Sequence, residues 1–143
     1  MNDEQLTGAI AIIYVGGEGN REYLLAVQKS GNVNLVGGGR ESEDNSIEDT
    51  VRREMHEEVG LVADDYVLKK VNVTHSFVYG NHPTRAGQKA INQVFLAKIT
   101  DKIKAVPNKN EIADIKWLNS DDTMIAFTLP DLAEIFREVI KEI

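Results

Sequence analysis

The chain has 143 residues, no cysteine and a formal net charge of −7. Its 42% hydrophobic and 27% charged residues match a globular chain that buries one core in one domain, residues 1–143. These values exclude a disulfide framework and a thiol nucleophile, and they speak against broad affinity for nucleic acid or anionic membranes. No apolar run approaches the ~20 residues that span a bilayer. Met1 to Gln5 carry neither a basic region nor an apolar stretch, so a cytoplasmic location is the expectation.

Thr7–Val15 and Tyr23–Gln28 read as strands, joined by the turn-rich Gly16-Gly17-Glu18-Gly19-Asn20. Asn34–Val36 is a short extended piece leading into Gly37-Gly38-Gly39. A helix follows, with Asn45 as a favoured N-cap residue and Glu48 where a capping-box carboxylate would reach back. Ile47, Val51 and Met55 repeat every four residues as its buried stripe, and Gly60 stops it. Tyr66–Val78 and Ala90–Ile99 are rich in β-branched and aromatic residues and read as strands. Ile112–Leu118 is a shorter strand holding Trp117. Leu129–Ile143 reads as an amphipathic helix with Leu132, Ile135, Phe136, Val139 and Ile140 on one face. Strands alternating with helices place the chain in the α/β class.

Residues 53–61, R-E-M-H-E-E-V-G-L, hold the strongest chemical signal. Glu54, Glu57 and Glu58 stand at offsets of three and four, which share one face of a helix. Glutamates are common on solvated helices, but three crowded on one face repel one another. A hard cation relieves that repulsion, because Mg²⁺ takes oxygen ligands and shares them with phosphates. The glycines just upstream suit a strand-loop-helix phosphate site.

The segment Gly39–Leu61 resembles the Nudix box, G-x5-E-x7-R-E-U-x-E-E-x-G-U with U aliphatic. Gly39, Arg53, Glu54, Met55, Glu57, Glu58, Gly60 and Leu61 match. Asn45 stands where the first box Glu is expected, beside Asp44, and Leu35-Val36-Gly37-Gly38 lacks the Pro of the usual lead-in. Taking Gly38 as the box glycine instead puts Asp44 in the Glu slot, and both registers stay open. The resemblance implies an α/β/α sandwich around a mixed β-sheet and an enzyme, a pyrophosphohydrolase acting on phosphoanhydrides. The implied substrate is a small nucleotide, and the resemblance also allows a homodimer.

By the same resemblance, Glu54, Glu57 and Glu58 bind Mg²⁺ or Mn²⁺ with the backbone carbonyl of Gly38. One carboxylate takes the proton of the attacking water, Glu54 and Glu57 being the first candidates. Glu111, before the Trp117 strand, is a further candidate base or ligand, with a solvated loop acid as the equal alternative. Arg53 orients the ligands in the family. With Asn45 in the Glu slot it would pair with Glu57, Asp44, Glu43 or Glu41. Lys29, Arg40 and the Gly39 loop are candidate phosphate contacts, Lys29 and Arg40 being equally well read as solvated. His56, His75 and His82 read as structural or solvated, since their spacing gives no metal pair.

Substrate clues outside the box are thin. Tyr79 occupies a position similar to a Tyr of dinucleoside-polyphosphate hydrolases, and Gly87-Gln88-Lys89 is similar to a segment of RNA 5′-pyrophosphohydrolases. Phe77, Tyr79 and Trp117 are candidate stacking residues, with burial in the core as the plainer reading. The expectation is hydrolysis of nucleoside or dinucleoside polyphosphates. A catalytically weak nucleotide-binding module is the alternative, motivated by Asn45.

Overall fold

In the computed structural model, which describes residues 2–143, strand β1 (Gly8–Val15) is the spine. Its side chains alternate. Ala9, Ala11 and Ile13 enter one hydrophobic cluster, and Ile10, Ile12 and Tyr14 enter a second. That alternation follows from the two-residue period of a strand, and a strand buried on both faces must be apolar throughout. The result is two cores, one on each side of the sheet.

The remaining elements are β2 (Glu22–Val27), β3 (Val33–Asn34), β4 (Val36–Gly39), α1 (Ile47–Val59), β5 (Tyr66–Val78), β6 (Lys89–Ile99), β7 (Asp114–Leu118), α2 (Ser120–Ala126) and α3 (Pro130–Ile140). The sheet is mixed and runs β3-β2-β1-β6-β5, with β4 paired to β1 and β7 paired to β2. β1 and β6 are parallel, and the other pairs are antiparallel. Helix α1 covers one face through Ile47, Val51, Met55 and Val59. Each such buried side chain is worth roughly 1.5–3 kcal/mol over exposure. Helix α3 covers the other face through Leu132, Phe136 and Val139. This is the expected α/β/α sandwich. No helix among the described residues is long and apolar enough to cross a membrane.

The helix ends differ from the sequence reading. The N-cap of α1 is Ser46, whose Oγ accepts the Asp49 N–H at 3.2 Å. Asn45 lies one residue outside, its N–H donating to Asp49 at 3.1 Å, while Glu48 pairs with Arg52 rather than closing a capping box. The serine oxygen satisfies an orphan amide of the first turn, and the acid three residues on turns back to the Asn45 N–H. The C-terminal helix begins at Pro130, a residue suited to a first helical position. Ahead of it lies α2, which the sequence reading missed although Asn119 caps it by accepting from the Asp122 N–H at 2.8 Å. Trp117 packs against the core under α1, the plainer of its two readings, with the Lys102 ammonium 5.7 Å from its ring centroid. The stop at Gly60 holds: it adopts a left-handed φ of 70°, which glycine enters without steric cost.

Candidate active site

β4 lays the glycine strand alongside α1, against the second half of the helix, which carries the box carboxylates. Glu54 lies against Gly38 so closely that a Cβ there would overlap its carboxylate. Glu58 accepts the Gly37 N–H at 3.1 Å. Both are shielded: Glu58 is 6% exposed and the Glu54 side chain 13%. The two carboxyls are neighbours on one helix face, one turn apart, and each disfavours the charge of the other. Burial raises the pKa of both, and Glu58 is raised further by Glu54 and by the charge of Glu111. Glu57 points to solvent and is 45% exposed.

Arg53 organises this cluster. Its Nη2 donates to Asp44 at 2.9 Å and to the Gly39 carbonyl at 2.8 Å, and its Nε donates to Asp44 at 3.1 Å. Its Nη1 reaches Glu54 at 3.0 Å, Glu57 at 3.2 Å and Glu41 at 3.5 Å. Asp44 is the deepest of these partners, with a side chain 4% exposed, and it also accepts from Thr50 Oγ1 and the Glu41 N–H. The Arg53 guanidinium holds the Asp44 carboxyl down at about 2. Of the partners expected for Arg53, Glu43 makes no contact with it and lies against Ser42. The sequence placed Asp44 only as an alternative, because a one-residue shift in the loop is invisible to a spacing rule.

Glu111 lies in the loop before β7, as expected, and is exposed. Asn108 fastens that loop to the end of α1. Its side chain donates to the Glu57 carbonyl at 2.9 Å and its N–H to the Glu58 carbonyl at 2.8 Å. Lys29 sits beside the same loop, donating to the Asn110 carbonyl at 2.7 Å. Arg40 pairs with Asp3 at 2.8 Å. Each cation expected to meet phosphate therefore already has one partner within the protein.

On the other side of Gly37-Gly38 is a cavity of about 460 Å³, within the range of small-molecule sites. Ile10, Leu35 and Leu132 supply its apolar floor. His75, Phe77 and Tyr79 point into it from alternate positions of β5 and the residue beyond, with rings 5.7 Å and 4.8 Å apart in succession. His75 is 7% exposed, and its Nε2 lies 2.7 Å from Asp131 on the first turn of α3. It is a cavity residue, not a solvated one. The sequence offered no sign of it, since its partner is 56 residues away. His82 caps the Thr84 and Arg85 amides, a structural role, and His56 is exposed on α1.

Among the described residues no three acidic or histidine side chains already converge on one point as a metal cage. The donor set nevertheless fits a hard divalent cation. Glu54 and Glu58 are buried, all-oxygen and short of positive charge, with Arg53 as the single cation touching Glu54. A cation brought to them would offset the burial and mutual repulsion that raise both pKa values.

A mixed sheet sandwiched between helices, with a glutamate helix folded onto a glycine strand, defines a Nudix domain. The NUDIX domain family model matches residues 5–142, so the chain belongs to the Nudix family. No curated protein matches the chain significantly. Among solved structures it is similar to the E. coli dihydroneopterin triphosphate pyrophosphohydrolase, at 17% identity over 95% of each chain with a TM-score of 0.78. It is also similar to the C. elegans Ap4A hydrolase binary complex, at 17% identity over 95% of this chain and 96% of that one, TM-score 0.76. The NUDIX domain of Shewanella oneidensis NrtR complexed with ADP ribose is 18% identical over 96% of this chain and 87% of that one, TM-score 0.73. At such identities the likeness is one of fold. Family and fold together support the expectation of a pyrophosphohydrolase.

Proposed function

We propose that the chain hydrolyses a phosphoanhydride bond in a nucleoside or dinucleoside polyphosphate, using Mg²⁺ or Mn²⁺. The observation that carries this reading is the arrangement about Gly37-Gly38: buried carboxylates on one side and a ring-lined cavity on the other. Ap4A, dihydroneopterin triphosphate and ADP ribose, named for the similar structures, all join a ring system to a phosphate chain. A molecule of that shape fits a cavity that opens beside a cation site.

Glu54, Glu57 and Glu58 would hold the cation with the Gly38 carbonyl. When bound, it supplies neutralisation of the phosphate oxygens and acidifies water for attack. Arg53, anchored by Asp44, fixes the directions of Glu54 and Glu57. Glu57, the most exposed of the three, or Glu111 would take the proton from water. Phe77 and Tyr79 hold the ring, and His75 offers it a polar edge fixed by Asp131. The reading as a weak binding module rested on Asn45, and the pairing of Arg53 with Asp44 removes that motive.

The deciding experiment is release of phosphate or pyrophosphate from nucleoside di- and triphosphates, dinucleoside polyphosphates, nucleotide sugars and ADP-ribose. It is run with and without Mg²⁺, beside Glu57→Gln and Glu58→Gln. Cation-dependent turnover lost in both variants supports the reading. Nucleotide binding without turnover of any compound overturns it.

A further inference from the structure

The phosphate chain of a substrate reaching from the cavity to the carboxylates has to pass Gly38-Gly39, and a cation is needed there. Lys29 and Arg40 are tied to Asn110 and Asp3. Arg53 is surrounded by carboxylates. Arg85, which the sequence reading did not single out, is placed differently. Its guanidinium lies directly on Gly39, at the spot a Cβ would fill, so a side chain there would displace it. Successive strand residues face opposite ways. Glu54 therefore touches Gly38 from the α1 side, and Arg85 touches Gly39 from the side of the cavity.

Arg85 is half-buried and makes no ion pair with any carboxylate among the described residues. Its one side-chain hydrogen bond is a long one, 3.4 Å to the Tyr79 hydroxyl, and its guanidinium lies 5.8 Å from the centre of that ring. Its backbone is fixed by His82, whose Nδ1 accepts the Arg85 N–H at 3.0 Å. A second cavity of about 350 Å³ opens beneath it, lined by Arg85, Arg40, Lys89, Gln88, Thr7 and Tyr79. In a chain of net charge −7 this wall gathers three cations, with Asp3 the one carboxylate paired to any of them among the described residues. A planar guanidinium with unused donors is suited to the paired oxygens of a phosphate.

We propose that Arg85 is a substrate-binding residue that grips the phosphate chain at Gly39, with Lys89 extending the same basic wall towards the distal end of a longer polyphosphate. Tyr79 stands between the two cavities and touches both, so ring and phosphate are read by adjacent side chains. The proposal deepens the hydrolase reading and rests on it for the identity of the substrate.

The test pairs kinetics with binding. Arg85→Gln, Arg85→Lys and Lys89→Gln are assayed for kcat and KM on ATP and on diadenosine tetraphosphate. The same proteins are titrated calorimetrically with inorganic tripolyphosphate and with adenosine. The expected result is that Arg85→Gln raises KM about tenfold or more, as loss of a charge-assisted hydrogen bond implies. Tripolyphosphate affinity falls by a similar factor, with kcat within about twofold and adenosine binding unchanged. Arg85→Lys recovers part of the loss. Lys89→Gln raises KM for diadenosine tetraphosphate more than for ATP. Unchanged KM and unchanged tripolyphosphate affinity in Arg85→Gln overturn the proposal, as does a loss confined to kcat. If the wild type hydrolyses neither nucleotide, the tripolyphosphate titration still decides the role of Arg85 while the hydrolase reading falls on its own.

Discussion

Arg53 and Asp44 form a buried, doubly hydrogen-bonded pair, with Nη2 and Nε of the arginine at 2.9 Å and 3.1 Å from the carboxylate. The pair ties the loop after β4 to the middle of α1. Everything Arg53 does for Glu54 and Glu57 depends on that anchor.

Asp44→Asn is therefore expected to destabilise the protein at neutral pH. The folded carboxyl is held at about 2 against an ordinary 3.8, a difference worth about 2 kcal/mol. Because the pKa is lowered, that stability is present above pH ~4 and is lost as pH falls through ~2. Urea unfolding of wild type and variant across pH 7 to 2.5 should show two curves converging at the acid end. Curves that stay parallel would mean that the pair contributes nothing through its charge.

Asn45→Glu tests which residue fills the slot of the first box acid. Asn45 is exposed and its side chain does not reach Arg53, whose best partner is already in place. Turnover should stay within about twofold of wild type, whereas Asp44→Asn should reduce kcat. A clear gain in Asn45→Glu would mean that Asp44 is only a partial substitute.

Glu58→Gln should abolish most turnover, by roughly two orders of magnitude or more, without unfolding the protein. Burial and Glu54 raise the Glu58 pKa in the metal-free fold. Its contribution to stability is then full below the ordinary carboxylate range and is lost as pH rises towards the raised value. Metal-free wild type should weaken between pH 5 and 9, by thermal unfolding, and the Gln variant should weaken less. Added Mg²⁺ should stabilise wild type at the alkaline end through preferential binding to the folded state, and stabilise the variant less. A wild type indifferent to both pH and Mg²⁺ would count against the cation site.

Asn108 joins the Glu111 loop to the carbonyls of Glu57 and Glu58. Asn108→Ala should cost about 1 kcal/mol of stability and reduce kcat several-fold by loosening Glu111. In a double-mutant cycle with Glu111→Gln the kinetic losses should be less than additive. Full additivity would separate Asn108 from Glu111 and leave it a purely structural residue.

The carboxylate helix was legible because three acids at helical spacing announce a shared face within a single turn and a half. The strands of the sheet were legible from period and composition, and β1 carries the cue most plainly. What escaped depended on contacts between distant segments or on registers set by one residue. Asp44 and Asn45 differ by one position in a loop, and only the direction of each side chain separates anchor from bystander. His75 meets Asp131, and Arg85 meets Gly39, through the packing of the sheet, which no local pattern encodes. Helix α2 was missed although Asn119 with Asp122 is a sound capping signal, because the window was too short for a hydrophobic period to emerge.

The wall between the proposed cation ligands and the ring-lined cavity is a single thickness of backbone at Gly37-Gly38, with no side chain of its own. A partition of that kind uncouples two design problems. Residues of β5 and α3 can be exchanged to accept a different ring without disturbing the acids beneath. The acids can serve any ring that lets its phosphates reach past the glycines. On the proposed reading, one hydrolytic centre is open to retargeting by changes confined to the far side of the sheet, whereas a side chain added at Gly38 would displace the Glu54 carboxylate whatever the substrate.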